Sequence, residues 1–225
     1  MNRSVRLAAV PLFAGVPDDV LARWEAASAL VSHPAGRWIV AHGEDGTDVY
    51  ALVSGTARAM TFGADREVIL ADLRAGAIFG EMSAIDGRPR SASVIAVSDV
   101  ELMKIPAAVF LAAVHESPAV CDRVLALLVG RVRALDERVH EFANYSVGDR
   151  VRAELLRLSR PLPGSRGEAL VEPVTHAEIA ARIGTHREAV TRELRAVEKA
   201  GLLVKRSGRL VIADVPGLAE SLRRA

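Results

Sequence analysis

Residues 174–192 read VTHAEIAARIGTHREAVTR, and this stretch predicts two short helices joined by a tight turn. Thr175 and Glu178 have the spacing of a capping box, in which the threonine caps the first helix and the glutamate reaches back. Gly184 would end that helix, because glycine readily takes the left-handed conformation that closes helices. Thr185 would then cap the second helix. A helix, a short glycine turn and a helix are typical of the helix-turn-helix, whose second helix enters the DNA major groove.

The second predicted helix carries side chains suited to reading bases. Arg187 and Glu188 lie in its first turn and Arg192 lies one turn on. Arginine can donate to O6 and N7 of guanine, and glutamate can accept from N4 of cytosine. Two short strands with basic residues follow at 202–205 and 210–212, as in a winged helix. The alternative is a solvated charged helix in a generic helical hairpin, and the capped helix, the turn and the wing together favour DNA binding.

Upstream lies a long predicted helix with a strictly heptad apolar stripe, which begins after Ser117-Pro118. The stripe advances in steps of three and four through Leu125, Leu128, Val132, Leu135, Val139 and Phe142. This spacing is that of a coiled-coil seam, and it predicts a parallel helix pair in a homodimer. The alternative is that the stripe packs on its own domain, as in most amphipathic helices.

Residues 29–105 have a different pattern, in which short β-branched or alternating runs are separated by glycine turns. Such runs predict an antiparallel barrel or sandwich. We therefore expect an α+β protein: an N-terminal antiparallel β-barrel of the jelly-roll type, a long helix and a C-terminal winged helix-turn-helix. The expected boundaries are 1–116, 117–143 and 144–225. The runs are 38–40, 48–53, 57–62, 67–73, 91–97 and 100–105.

Composition fits this division. The chain has 225 residues and a net charge of +1, but residues 1–143 carry 14 Lys/Arg against 18 Asp/Glu, whereas residues 144–225 carry 15 against 10. A basic part joined to a mildly acidic part suits a sensor attached to a nucleic-acid reader. No apolar run approaches the roughly 18 residues of a membrane helix, and residues 7–16 lack a secretory cleavage pattern. We expect a cytoplasmic protein that does not associate with membranes.

Metal and enzyme chemistry have little support in the sequence. The single cysteine, Cys121, excludes an internal disulfide, a Cys-rich zinc site and a cysteine-ligated iron–sulfur cluster within one chain. The six histidines show no metal-ligand spacing. We therefore expect no metal, haem or iron–sulfur cluster, and nothing in the sequence requires an enzyme.

Residues 79–92, FGEMSAIDGRPRSA, lie between predicted strands and could recognise a sugar joined to a phosphate. Gly80 allows close backbone approach, and Glu81 can accept a hydrogen bond from a ribose hydroxyl. Arg90 offers a guanidinium fork to phosphate oxygens, with the Ser91 hydroxyl beside it. The alternative is an ordinary β-turn with exposed charges.

Both motifs resemble those of the Crp/Fnr family of bacterial transcription regulators. Residues 174–192 are similar to the DNA-reading motif of its cAMP receptor branch, where an R-E-x-x-x-R string reads the half-site TGTGA. Residues 79–92 resemble the phosphate-binding cassette of cyclic-nucleotide domains. In that cassette the glutamate, here Glu81, holds the ribose 2′-hydroxyl and the arginine, here Arg90, neutralises the cyclic phosphate. Family members that sense redox, haem or other ligands usually lack one or both.

The resemblance implies a homodimeric, cAMP-responsive regulator of palindromic double-stranded DNA, with RNA polymerase as a further partner. The alternatives are a cGMP-responsive protein, a nucleotide-independent regulator, and a regulatory subunit that controls an enzyme. The nucleotide-binding residues it implies are Leu70, Gly80, Glu81, Met82, Ser83, Arg90, Ser91, Leu135 and Asp136. The DNA-binding residues it implies are Thr175, His186, Arg187, Glu188 and Arg192.

Two adjacent positions depart from the family pattern. In the cAMP receptor branch two adjacent hydroxyl residues on the long helix bond the adenine amino group, and ungapped counting places them at Leu135 and Asp136. Leu135 cannot hydrogen bond, whereas Asp136 could accept from adenine N6 or from guanine N1–H and its 2-amino group. The alternative is that Asp136 pairs across the dimer with Arg131 or Arg133.

Overall fold

The computed structural model describes residues 7–63 and 67–223, and it describes residue 223 by its backbone alone. These residues form two compact units: 7–61 with 69–132 make the first, and 62–63, 67–68 and 133–223 make the second. No helix in this part of the chain is both long and apolar enough to cross a membrane.

The first unit opens with two short 3-10 turns, Leu7–Ala9 and Pro11–Phe13. The helices and strands that follow include three, β4, β5 and α4, that continue into the second unit. In chain order they are α1 (Asp18–Ala26), β1 (Ala29–His33), β2 (Trp38–Val40), β3 (Val49–Ser54), β4 (Thr56–Phe62), β5 (Glu67–Arg74), β6 (Ile78–Phe79), α2 (Glu81–Asp86), β7 (Ser93–Ala96), β8 (Val100–Ile105), α3 (Ala107–Glu116) and α4 (Pro118–Asn144).

The strands form two four-stranded sheets, with the orders β1-β8-β3-β6 and β2-β7-β4-β5. The pairs β1–β8, β3–β8, β2–β7 and β4–β7 are antiparallel. The predicted jelly-roll is therefore confirmed, but as a sandwich and not as a closed barrel. The edge strands β2 and β6 have only three and two residues, too few to carry a ladder from one sheet to the other.

Strand β3 shows how this unit is assembled, because its side chains are buried on both faces. Successive side chains of a strand point to opposite sides. Tyr50 and Leu52 belong to the core between the sheets. Val49 and Ala51 belong to a second core, with Trp24 of α1 and other residues of the helices. The sandwich is thus covered by helices on one face.

Helix α4 begins in the first unit and ends in the second. Val120 and Val124 are buried in the core of the first unit, and Leu128 packs partly against it. The predicted seam included Leu128, which is partly buried against this core, and its place in a dimer seam stays a prediction. In the single chain the exposed stripe contains Val129 and not Leu128. The stripe comprises Leu125, Val129, Val132, Leu135, Val139 and Phe142, each at least 46% exposed.

A glycine interrupts the apolar and basic residues of α4 at position 130. Among the residues that the structure describes, a methyl group built on Gly130 would have no atom within 4 Å outside its own helix backbone and chain neighbours. The packing of the chain therefore does not require glycine here.

The second unit contains the predicted helix-turn-helix and wing. Its core is formed by apolar residues of α5 to α8, β10, β11 and β12, and its sheet has the order β11-β12-β10-β9. The sequence predicted the two wing strands but not β9, β10 or α8. The elements are α5 (Val147–Arg157), β9 (Ser159–Pro161), β10 (Ala169–Val171), α6 (His176–Ile183), α7 (Arg187–Lys199), β11 (Leu203–Arg206), β12 (Arg209–Ile212) and α8 (Val215–Arg223).

Candidate nucleotide and DNA sites

Glu81 is the first residue of α2 and its side chain is fully buried. One carboxylate oxygen, Oε1, accepts a hydrogen bond from Nη1 of Arg131 on α4. The other oxygen, Oε2, is buried without a hydrogen-bond partner in the described part of the chain. Because a buried oxygen without a donor costs free energy, this site is suited to a ligand that brings a hydroxyl group.

The sequence did not connect Arg131 with Glu81, since 50 residues separate them. Arg131 also donates from Nη2 to the Ile78 carbonyl at 2.8 Å. Arg131, one of the two alternative partners expected for Asp136, is thus bonded to Glu81 of its own chain. In the sequence, only the positive charge of Arg131 and its place beside the apolar stripe of α4 could have indicated a role for it.

Arg90 is almost fully buried, at 5% exposed. Its Nη1 donates to the Gly80 carbonyl at 3.1 Å and its Nη2 donates to the Asp48 carbonyl at 2.8 Å. Its Cζ lies 5.8 Å from the ring centroid of Tyr50, which stacks on Phe79 with the centroids 5.1 Å apart. Burial raises the pKa of Tyr50, so its ring remains neutral beneath the guanidinium. These contacts fix a cation on the wall of the cassette, and within residues 7–63 and 67–223 its hydrogen bonds go to backbone carbonyls and not to a carboxylate.

Gly80 is required where Arg90 meets the backbone. Its φ is +84°, and a Cβ there would lie 2.6 Å from Arg90 Nη1 and 2.7 Å from the Asp48 carbonyl oxygen. An L side chain is therefore excluded both by conformation and by contact. The prediction that Gly80 permits close approach agrees with this geometry, and the approaching group is Arg90.

The remaining predicted nucleotide residues are distributed as follows. Ser83 is buried, whereas Met82 and Leu70 are 44% and 43% exposed. Ser91 is exposed, and its Oγ lies 3.6 Å from Met82 Sδ. All these residues lie in the first unit, together with Gly80, Glu81 and Arg90. Leu135 and Asp136 lie on the part of α4 that belongs to the second unit, and both are exposed.

The helix-turn-helix has the geometry expected from its caps. Thr175 Oγ1 accepts from the Glu178 amide at 3.1 Å, and Glu178 Oε2 accepts from the Thr175 amide at 2.9 Å, so the capping box is confirmed. Gly184 ends α6 with φ +63°. The prediction that Thr185 caps α7 is wrong, because the N-cap residue is His186, whose side chain makes no cap hydrogen bond.

One face of α7 is exposed and charged. Arg187, Glu188, Thr191, Arg192 and Arg195 line a shallow depression on it. Their spacing follows the helix repeat, so these side chains share one face. Arg192 donates from Nε to Oε1 of the neighbouring Glu193 at 3.1 Å while 72% of its side chain stays exposed. A base could therefore reach the guanidinium.

One of the predicted DNA residues, Thr175, and its neighbour His176 have structural roles. Thr175 caps α6, as described above. His176, its neighbour, lies with Nδ1 2.9 Å from Thr191 Oγ1 and so links α6 to α7.

No group of three or more His, Cys, Asp or Glu residues that could hold a metal ion occurs within residues 7–63 and 67–223.

Comparisons with known proteins agree with this geometry. The chain matches the model of the cyclic nucleotide-binding domain over residues 30–117 and that of the Crp-like helix-turn-helix domain over residues 149–221. It is 33% identical to the cyclic AMP receptor protein of Thermus thermophilus over 189 residues, 84% of this chain and 85% of the relative. It is 26% identical to the CRP-like cAMP-activated global transcriptional regulator of Mycobacterium tuberculosis, over 96% of this chain and 98% of the relative.

Solved structures share the fold. The c-di-GMP-responsive global regulator CLP of Xanthomonas campestris superposes with a TM-score of 0.74 at 22% identity, over 87% of this chain and 99% of that one. The catabolite activator protein of Thermus thermophilus has a TM-score of 0.54 at 30% identity, over 95% of this chain and 99% of that one. Fold and site define the class: DNA-binding regulators with a cyclic-nucleotide domain. Within that class, the chain belongs to the Crp/Fnr family of transcription regulators, which are not enzymes.

Proposed function

We propose that this regulator binds cAMP and then binds a palindromic TGTGA-type operator as a homodimer. The observation that carries the ligand assignment is the pairing of two buried groups on one cassette. Glu81 has a buried oxygen, Oε2, that lacks a donor among the described residues. Arg90 is a buried cation whose bonds go to backbone carbonyls. A ribose hydroxyl beside a cyclic phosphate would satisfy the first and neutralise the second.

The choice of cAMP rests on family resemblance. The relatives of Thermus thermophilus and Mycobacterium tuberculosis carry cAMP in their names. The recognition helix and the cassette both resemble the cAMP receptor branch. The c-di-GMP-responsive structural neighbour shares the fold at only 22% identity and bears on the fold alone.

A second ligand, cGMP, is favoured by Asp136. Leu135 beside it cannot hydrogen bond, and the carboxylate of Asp136 has two acceptor oxygens that match the N1–H and 2-amino donors of guanine. If Asp136 contacts the base, Asp136→Ala should change the ratio of cAMP to cGMP affinity in calorimetry. If both affinities stay unchanged while the dimer weakens, Asp136 is an ion-pair residue and the base contact is wrong.

The DNA assignment rests on the exposed face of α7. Arg187 and Arg192 can each bond guanine, and Glu188 can accept from cytosine, which suits the half-site TGTGA and its complement. A palindrome requires two such helices, about one helical turn of DNA apart. The exposed apolar stripe of α4 supports the homodimer that would supply them.

The mechanism we propose is a population shift between dimer geometries. Nucleotide would favour the geometry in which both copies of α7 fit one face of DNA. The ligand can shift this equilibrium only by the difference between its affinities for the two states. Glu81 and Arg90 supply the affinity, and Arg131 joins Glu81 directly to α4.

Calorimetry with a matched pair of variants tests the ligand assignment. Arg90→Lys keeps the charge but loses the bidentate fork, and we expect cAMP affinity to fall at least about tenfold. Arg88→Lys is the control, because the Arg88 side chain is 84% exposed two residues away, and its affinity should equal that of the wild type. Absence of cAMP and cGMP binding to the wild type would leave a nucleotide-independent regulator as the answer.

Gel shifts test the DNA assignment separately. A duplex with a TGTGA palindrome should be retarded by the wild type in the presence of cAMP and less so in its absence. A chain that binds cAMP but retards no duplex would be a regulatory subunit for another protein.

A further inference from the structure

The end of α4 contacts the helix-turn-helix at the end of its first helix. Arg138 of α4 donates from Nη1 to the Arg182 carbonyl at 2.5 Å. Arg150 of α5 donates from Nη1 to the Ile183 carbonyl at 3.1 Å. These carbonyls lie in the last turn of α6, where no further helical amide follows to bond them. Two guanidinium groups from neighbouring helices therefore cap α6, at the negative end of its dipole.

A buried carboxylate holds Arg138 in this place. Glu154 of α5 is fully buried, and its oxygens lie 3.7 Å from Arg138 Nη2 and 3.8 Å from Arg182 Nε. Arg157 bonds Glu154 and also bonds Glu141 of α4. Burial lowers the pKa of Arg138, and Glu154 acts in the opposite direction. These five residues, the Glu154 cluster, carry three positive charges against two negative charges, and the surplus cation suits the carbonyl end of α6.

The side chain of Phe142, four residues after Arg138 on α4, contacts the turn between α6 and α7. Phe142 lies against Gly184, where a Cβ would be 2.9 Å from Cε1 of the ring. The Cζ atom of Arg150 lies 5.1 Å from the centroid of the same ring. The point where the chain leaves α6 for α7 is thus held by α4, α5 and the ring together.

We propose that Arg138 is a positioning residue for base reading. It acts through the Arg182 carbonyl and Glu154, and it fixes the end of α6 from which α7 departs. The angle at which α7 offers Arg187 to a base then depends on a residue of the long helix that touches no DNA. The proposal rests on the DNA-binding part of the proposed function, and it does not depend on which nucleotide binds.

The test compares operator binding with random-duplex binding in the full chain. The operator is the duplex that the wild type selects from a randomised pool in the presence of cAMP, so the test does not depend on TGTGA. Fluorescence anisotropy gives both affinities at one salt concentration. We expect Arg138→Met to lose about tenfold or more on the operator and little on the random duplex, because phosphate contacts tolerate a wrong angle and base contacts do not.

Two further variants separate positioning from general stability. Arg138→Lys restores the charge and one donor, and should recover part of the operator preference. Arg166→Met removes an exposed arginine from the loop between β9 and β10, and should leave both affinities as in the wild type. Thermal unfolding of each variant supplies the folded fraction.

The outcomes are distinct. The proposal is overturned if Arg138→Met keeps the wild-type ratio of operator to random-duplex affinity. It is overturned equally if both affinities of Arg138→Met fall together in proportion to its folded fraction. If Arg138→Met does not fold, the same comparison is made with Arg138→Lys. If the wild type selects no sequence from the pool, base reading itself fails, which distinguishes that result from a failure of Arg138.

Discussion

At the scale of single residues, Gly80 shows how a backbone position can decide ligand chemistry. Its missing side chain is the space in which Arg90 bonds the Gly80 and Asp48 carbonyls. The role was visible in the sequence only as a glycine before an acidic residue. The group that needs the space lies ten residues on, and its position follows from folding of the whole cassette.

We predict that Gly80→Ala destabilises the chain and weakens cAMP binding. The left-handed backbone alone costs an L residue about 1–2 kcal/mol, and the contact with Arg90 adds to that. Gly87→Ala is the matched control, since its φ is +69° but a Cβ there meets no atom of the described chain within 4 Å. Urea unfolding and calorimetry should show a larger loss for Gly80→Ala in both measurements. Equal losses would mean that Arg90 moves aside without consequence.

A second prediction at this scale concerns Arg187 on the exposed face of α7. Arg187→Ala should cost about 1–3 kcal/mol of binding to a TGTGA site and relax the preference at its guanine. Lys205→Ala on the wing, an exposed lysine, should instead weaken specific and random duplexes equally. The base-reading role of Arg187 is refuted if its loss is also equal on the two duplexes.

At the scale of elements, the sequence predicted those parts whose signals are local. The capping box and the glycine of α6 and the apolar period of α4 are contained within one helix each. Strands β9 and β10 have three residues apiece, too few for a pattern to be visible. Whether Leu128 or Val129 faces solvent could not be read from the stripe, because both are apolar and the core of the first unit decides.

We predict that Val139→Arg abolishes the homodimer. Val139 is the most exposed of the large apolar side chains in the described chain, at 67%, so the substitution should not disturb the fold of one copy. In a parallel pair it would place two like charges in the seam. Sedimentation should show a monomer at concentrations where the wild type is dimeric.

The control for this experiment lies on the same helix. Glu137→Arg places an arginine at an exposed position off the stripe, and the dimer should persist. A dimer that survives Val139→Arg would contradict the parallel pairing and favour another interface.

At the scale of the whole molecule, coupling between nucleotide and DNA must be reciprocal. If cAMP tightens operator binding by some factor, the operator must tighten cAMP binding by the same factor. We expect that factor to lie between about 5 and 150. Titrating cAMP with and without operator, and operator with and without cAMP, measures it twice. A cAMP-independent operator affinity would refute the proposed mechanism and leave the nucleotide without a regulatory role.

The glycine within α4 has a mechanical consequence. Gly130 precedes by two residues the place where the helix passes from one unit to the other, and no atom of the described residues outside the helix's own backbone occupies the space of its missing side chain. Glycine lowers helix stability by about 1 kcal/mol relative to alanine, so we expect the helix to bend most easily at this point. Gly130→Ala should raise the melting temperature and stiffen the helix without steric cost. Adding one methyl group at Gly130 would thus make α4 harder to bend between the cyclic-nucleotide domain and the helix-turn-helix domain.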